Sequence, residues 1–129
     1  MHKVAVYGTL RAGCGNNVLL SNAKFIGKTL TEGMHSMYSL GGCPAVKLSE
    51  PSSHIVIEVY EVDDATLSRL DRLEGYRGTP EDSFYNRSVI GTVGYGDAFI
   101  YHIEDRDFNH ENLIEDGDWV RNRARRVYY

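Results

Sequence analysis

The fold of this chain is decided by the stretch VAVYGTLRAGCG at residues 4–15. A β-branched run ends there in a glycine-rich turn, and backbone N–H groups left unpaired at such a turn can point at one spot and attract an anion. Gly8 has no Cβ to block the approach of a ligand. Tyr7 and Leu10 can form the walls of a site, and Thr9 adds a hydroxyl donor. The same pattern is also typical of a plain connection, so a second signal is needed elsewhere in the chain.

Length and composition indicate a single domain over residues 1–129. Hydrophobic residues make up 42% and charged residues 25% of the chain, close to the average of globular proteins, so we expect neither disorder nor a membrane span. We expect a cytoplasmic protein, since no apolar signal segment is present, with Cys14 and Cys43 as free thiols. The net charge of −4 argues against a protein that binds nucleic acid as a whole.

Strand-like segments alternate with glycine, proline and polar turns along most of the chain. The patterns predict strands at 2–7, 42–48, 54–62, 86–93 and 97–102, a strand, a bend and a second strand within 23–40, and a short helical piece at 17–20. The connections are short and only one long helix crosses over. We therefore predict an α+β fold, a small mixed curved β-sheet or barrel with one main packed α-helix.

That helix is predicted directly after the strand at 54–62. Asp63 and Asp64 are candidates for its N-cap, and Gly75 suits the position just past its end. Three leucines at helical spacing predict an apolar arc that packs on the sheet. They are Leu67, Leu70 and Leu73.

Glu74 lies on the apolar side of this helix, about 40° from the centre of the arc at about 100° per residue. We expect its carboxylate to point inward, where desolvation and the negative end of the helix dipole disfavour the charged form and raise the pKa. A carboxyl group with a raised pKa suits general acid/base chemistry near neutral pH. The alternative is that the last turn frays and Glu74 reaches water past Gly75.

Four short phrases follow one another along the chain. They are YGTLR at 7–11, LDRLEG at 70–75, YNR at 85–87 and GDW at 117–119. In this order and spacing the chain resembles the γ-glutamylcyclotransferase-like family, of the AIG2-like or γ-glutamylamine cyclotransferase type, over residues 4–119. The resemblance implies a small barrel with a ligand cavity at one side.

The resemblance also implies the residues of the site. The binding loop consists of Tyr7, Gly8, Thr9 and Leu10. Glu74 is the catalytic acid/base, and we expect Tyr85 to orient it. Ile57 departs from the pattern, because the family more often has glycine there, and we expect its bulkier side chain to narrow the cavity.

The reaction implied is the cyclisation of a small γ-glutamyl compound. Its α-amine attacks its own γ-carbonyl and releases 5-oxoproline together with an amine or amino acid, which requires no cofactor and no protein nucleophile. Two alternatives stay open. One is a noncatalytic member of the same fold that binds a small carboxylate or a protein partner. The other is an amidohydrolase or transferase that uses Glu74 with an external nucleophile.

Other motifs carry weaker signals. The glycines of the opening stretch lack the Lys-Ser/Thr pair of a phosphate loop. The acidic run at 105–109 resembles the start of a calcium loop, but His110 stands where that loop needs glycine. The five histidines show no metal-ligand spacing, so we expect no metal.

The end of the chain is basic and aromatic. Its arginines are expected to be solvated or to pair with the acidic segment before them, rather than to bind nucleic acid or a membrane. This cluster comprises Arg121, Arg123, Arg125 and Arg126, followed by Tyr128 and Tyr129. Trp119 is expected to cover one end of the barrel.

Overall fold

The computed structural model describes residues 1–126, with side chains through residue 123. Its strands are β1 His2–Val6, β2 Lys24–Ser39, β3 Pro44–Lys47, β4 Ser53–Val62, β5 Asn86–Thr92 and β6 Gly96–His102. Its helices are α1 Asp64–Glu74 and α2 Trp119–Arg126. Short 3-10 helices lie at Asn17–Leu20, Pro80–Asp82 and His110–Asn112.

Five of the strands close into a barrel. The order along the sheet is β3-β2-β4-β1-β6-β5, and the pairing of Thr31 on β2 with Thr92 on β5 closes it, so that β3 extends the sheet outside the ring. The pairing of β1 with β6, at Val4 and Phe99, is parallel, whereas the other strand pairs are antiparallel. The predicted small, mixed barrel of an α+β fold is therefore confirmed.

Strand β2 differs from the prediction of two strands separated by a bend. It is one strand of 16 residues, with irregular register against β4 between Phe25 and Gly27 and again between Leu30 and Met34. Bulges of this kind increase the twist of a strand and bend it. The glycines that suggested a break therefore lie within a curved strand that contacts β3, β4 and β5.

Two buried clusters hold the barrel and the helix together. Alternation along β1 directs Ala5 to one cluster and Val4 to the other. The first cluster lies between the barrel and α1, which contributes Leu67 and Leu70. The second lies inside the barrel, where Trp119 packs among strand residues.

Helix α1 begins and ends as its sequence predicts. Asp63 is the N-cap, with its side chain accepting a hydrogen bond from the first turn, and Gly75 follows the last residue with a φ of 70°. The predicted apolar arc is only partly correct. Leu67 and Leu70 are buried, but Leu73 is 42% exposed because it lies at the rim of a cavity beyond the end of the core.

Helix α2 was not predicted, since the arginine-rich segment lacks an apolar repeat. Its start is stabilised by Asp118, whose carboxylate accepts a hydrogen bond from the backbone N–H of Arg121. The predicted roles of Arg125 and Arg126 lie outside the described side chains, and Tyr128 and Tyr129 lie outside the described residues. Within residues 1–126, no helix is both long and apolar enough to cross a membrane.

Gly117 allows the segment before α2 to pack directly against β4. Its φ is +66°, its carbonyl accepts a hydrogen bond from Val56 N at 2.9 Å, and a Cβ built on it would collide with the backbone oxygen of His54. Gly94 has a similar φ of +86°, but a Cβ there would meet no atom within 4 Å.

We predict that Gly117→Ala lowers the free energy of unfolding by about 3 kcal/mol, the sum of backbone strain and steric overlap. Gly94→Ala should lower it by about 1 kcal/mol, because only the strain applies. Chemical denaturation of both variants measures the difference. Equal losses would show that the close approach of Gly117 to His54 does not stabilise the fold.

Candidate active site

One cavity of about 330 Å³ lies where the end of β1, the start of β3 and the end of α1 meet. The structure brings all of the predicted site residues to its wall. These are Tyr7, Gly8, Thr9, Leu10, Glu74 and Tyr85. Asn16, Pro44 and Tyr101, which the sequence did not single out, also line the cavity, as does Leu73 of the predicted apolar arc.

In the loop after β1, the backbone carbonyl groups accept hydrogen bonds that fix the loop, whereas several backbone N–H groups have no acceptor within residues 1–126. Asn16 N donates to Thr9 O at 3.0 Å, and the Asn17 amide donates to Leu10 O at 2.8 Å. In the part of the chain described, no acceptor is bonded to the N–H of Gly8, Thr9 or Leu10. The Thr9 hydroxyl accepts from the Asn16 amide at 2.9 Å and keeps its own proton for donation. The loop therefore offers a set of donors beside the cavity.

Gly8 also has a packing role that its sequence context did not indicate. A Cβ at this position would lie 2.7 Å from the Cδ of Pro44, which is too close for a side chain. The absence of a side chain therefore lets the turn after β1 approach the start of β3. The same packing brings the N-terminal end of β3 to the wall of the cavity.

Among the described residues, Glu74 supplies the one carboxylate on this wall. Within the described residues, its side chain forms no hydrogen bond or ion pair. Burial raises its pKa from 4.5 to about 7. The helix end beneath it is closed, since Gly75 N donates to Arg72 O at 3.3 Å and Tyr76 N donates to Asp71 O at 2.9 Å. The frayed last turn that was the alternative for Glu74 is therefore not present.

Two tyrosines of the cavity, Tyr7 and Tyr85, are fixed by backbone carbonyls. The Tyr7 hydroxyl donates to Tyr101 O at 2.7 Å, and the Tyr85 hydroxyl donates to Pro44 O at 2.7 Å. Because its proton is directed at Pro44, the Tyr85 hydroxyl does not donate to Glu74 in this structure. The expected orienting role of Tyr85 is thus reduced to shaping the cavity next to the carboxylate.

Ile57 does not narrow the cavity, and that expectation is wrong. Its side chain is 0% exposed and packs inside the barrel, where it belongs to the second buried cluster. Successive strand residues point to opposite faces, so the next residue, Glu58, points instead toward the loop after β1. There it accepts a hydrogen bond from Ala12 N at 2.8 Å.

A charge cluster behind the loop was not predicted from the sequence. Arg11, which is 3% exposed, donates through Nε to Glu58 and through Nη1 to Asp118, both at 2.8 Å. Tyr60 and Ala12 donate to the other Glu58 oxygen. Burial is the largest single influence on the pKa of Asp118 and raises it, but the hydrogen bonds from Arg11 and from the Arg121 backbone, with the positive charge of Arg11, together outweigh burial and lower the pKa. The signal available in the sequence was a glutamate in the middle of an apolar strand.

A second polar relay lies away from the cavity. Ser88 Oγ is 2.7 Å from His102 Nε2, and His102 Nδ1 is 2.7 Å from a Glu104 oxygen. The same carboxylate accepts the backbone N–H groups of Leu48 and Ser49, so it connects the end of β3 to β6. None of the three relay residues lines the cavity. We interpret the relay as structural.

Comparison with known proteins identifies the family. The family model described as gamma-glutamyl cyclotransferase, AIG2-like, matches residues 4–121. The chain belongs to this family. This confirms the resemblance that the four sequence phrases indicated.

Individual relatives of the family agree with this assignment. The gamma-glutamylcyclotransferase family protein YtfP of Escherichia coli is 36% identical over 118 residues, which cover 92% of this chain and 96% of that protein. A solution structure of the E. coli ytfP protein matches with a TM-score of 0.67 and 33% identity, covering 94% and 98% of the two chains. The crystal structure of a Pyrococcus horikoshii protein gives a TM-score of 0.78 at 26% identity, covering 100% and 98%.

We predict that Arg11→Met lowers the free energy of unfolding by about 3–5 kcal/mol, because it leaves the buried carboxylate of Glu58 and the half-buried carboxylate of Asp118 without their cation. Arg11→Lys should be intermediate, since an ammonium keeps the charge but cannot reach both carboxylates in the planar arrangement of a guanidinium. Urea denaturation at neutral pH measures the order. Wild-type stability of Arg11→Met would refute the role assigned to the cluster.

The raised pKa of Glu74 predicts a stability that depends on pH. The unfolded chain ionises this carboxyl near 4.5 and the folded protein near 7, so ionisation opposes folding above the lower value. Glu74→Gln should therefore match the wild type below pH 4.5 and exceed its free energy of unfolding by about 3 kcal/mol above pH 7. Denaturation curves at pH 4 and pH 8 test this. Glu81→Gln, at an exposed site, is the control, and a gain independent of pH would contradict the prediction.

Proposed function

We propose that the protein is a γ-glutamyl cyclotransferase that converts a small γ-glutamyl compound into 5-oxoproline and a free amine or amino acid. The observation that carries the proposal is the pairing of one unpartnered carboxyl group, Glu74, with the donor loop across the same small cavity. Family membership supports the reaction class. A volume of about 330 Å³ suits a small substrate.

Glu74 is proposed to accept one proton from the substrate's α-ammonium group and to donate one proton to the leaving nitrogen. Its carboxylate first takes a proton from the substrate's α-ammonium group, which frees the nitrogen lone pair for attack on the γ-carbonyl carbon. The new C–N bond closes the five-membered ring, and the electron pair of the carbonyl moves onto oxygen. When that oxygen reforms the carbonyl, the bond to the leaving nitrogen breaks and this nitrogen takes the proton from Glu74. The ring nitrogen still carries one proton more than in 5-oxoproline, and this proton passes to the released amine, which leaves as an ammonium ion. Water is not consumed.

The loop after β1 is proposed to bind the negative charges of the substrate. The N–H groups of Gly8, Thr9 and Leu10 and the Thr9 hydroxyl are available to the α-carboxylate or to the oxyanion that forms during attack. These donors are fixed before the substrate binds, because the loop carbonyls are already bonded to the Asn16 backbone and to Asn17. Preorganised donors stabilise developing charge without having to rearrange.

The substrate itself supplies the nucleophile in this reaction. Among the described residues, no histidine or lysine lines the cavity to activate Cys43, whose thiol is its one sulfur nucleophile. Holding the α-amine near its own γ-carbonyl replaces a bimolecular encounter with ring closure, which accounts for a large part of the expected acceleration. The proposed reaction therefore needs no cofactor, and its proposed partner is a small γ-glutamyl compound.

We predict that the wild type releases 5-oxoproline from one or more γ-glutamyl compounds, and that Glu74→Gln lowers kcat/KM at least about a hundredfold while remaining folded. Chromatographic detection of 5-oxoproline and of free glutamate measures the products. Glu81→Gln is the matched control at an exposed site and should keep wild-type activity.

The products also separate the alternatives. Release of glutamate in place of 5-oxoproline would indicate an amidohydrolase that uses water. Binding of γ-glutamyl compounds without turnover would indicate a noncatalytic member of the fold. Full activity of Glu74→Gln would contradict the assigned role of this carboxyl group.

A further inference from the structure

A second cavity, of about 640 Å³, adjoins the proposed active site. The two cavities share Cys43, and consecutive residues continue from one wall to the next, since Phe84 lines the second cavity and Tyr85 the first. The Cys43 thiol lies 3.8 Å from the Tyr85 hydroxyl. These two side chains therefore form the boundary between the cavities.

Arg106 supplies the positive charge of the second cavity. Its guanidinium carbon lies 5.4 Å from the centre of the Phe84 ring and 6.0 Å from that of Phe108. Over residues 1–123, no carboxylate forms an ion pair with it, including those of its chain neighbours Asp105 and Asp107. A guanidinium placed on aromatic rings and lacking a counter-ion is well suited to bind a carboxylate through two parallel hydrogen bonds.

The charge of Arg106 reaches the boundary of the first cavity. Burial raises the pKa of Tyr85, as do the neighbouring Cys43 and Glu74, whereas the positive charge of Arg106 lowers it. The charges of Glu74 and Arg106 therefore act on the Tyr85 hydroxyl in opposite directions. Glu74 lines the first cavity and Arg106 lines the second.

We propose that Arg106 binds a carboxylate on the leaving group, so that the preferred substrates are γ-glutamyl amino acids or peptides rather than γ-glutamyl derivatives of uncharged amines. This inference rests on the proposed function, since it assigns the second cavity to the group that leaves the γ-carbonyl. When the glutamyl part contacts the loop at Gly8–Leu10 and its carbonyl faces Glu74, the leaving nitrogen directs its substituent past Tyr85. The Asn112 side chain lines the same cavity and adds an amide.

Two substrates that differ only in this carboxylate test the inference. We expect the wild type to show about a tenfold lower KM for γ-glutamylalanine than for γ-glutamylalaninamide, with similar kcat, because the contact is made equally in the ground state and the transition state. Arg106→Gln should abolish this difference in KM, and Arg106→Lys should restore part of it. Arg77→Gln changes an exposed arginine that lines neither cavity and should keep the wild-type preference.

Binding to an inactive variant separates this inference from the proposed reaction. Isothermal titration calorimetry of Glu74→Gln with γ-glutamylalanine should give a Kd about tenfold lower than that of the variant that also carries Arg106→Gln. If no 5-oxoproline forms but this difference in Kd is found, the reaction is refuted and the carboxylate site is supported. Equal KM values of the wild type for the two substrates, or equal Kd values for the two variants, would overturn the role of Arg106.

Discussion

The uncompensated carboxyl group of Glu74 is the constraint on which the architecture of the site depends. A buried carboxylate is unfavourable unless a cation or donors compensate it, and within the described chain none does so. The fold accommodates it because α1 is closed firmly by Gly75 and anchored by Leu67 and Leu70. The closed helix end keeps the side chain at the cavity wall, where burial raises its pKa to about 7.

The donor loop that shares the cavity with Glu74 is fixed by the hydrogen bonds of its neighbour, Arg11. Its own residues have little regular structure, but the next residue, Arg11, is tied to β4 by Glu58 and to the start of α2 by Asp118. Each anchor belongs to an element that is fixed by the barrel. A site on a loop can keep an accurate geometry when such surrounding hydrogen bonds hold it. The hydrogen bonds of this charge cluster thus hold the glycine-rich turn in one defined conformation at the end of β1.

The parts of this structure that sequence could predict are those encoded over a few residues. The capped helix, its inward Glu74 and the hairpin at Gly94–Gly96 follow from periodicity and turn chemistry. The Arg11 cluster joins residues 47 and 107 positions apart, which no local pattern reports. The continuity of β2 and the packing of Gly8 on Pro44 likewise depend on tertiary contacts. The resemblance to the family predicted that the loop after β1 and the end of α1 form one site, which periodicity alone could not predict.

A carboxyl group that titrates near neutral pH explains how one residue can serve both proton transfers of the proposed reaction. With an ordinary pKa near 4.5, it would be almost fully ionised at pH 7, and as a weak base it would remove an ammonium proton poorly. With a pKa near 7, both protonation states are populated, so the carboxylate is a better base and the acid form persists until the leaving nitrogen needs it. The desolvation that destabilises the folded protein at high pH is therefore the same property that makes a second catalytic group unnecessary.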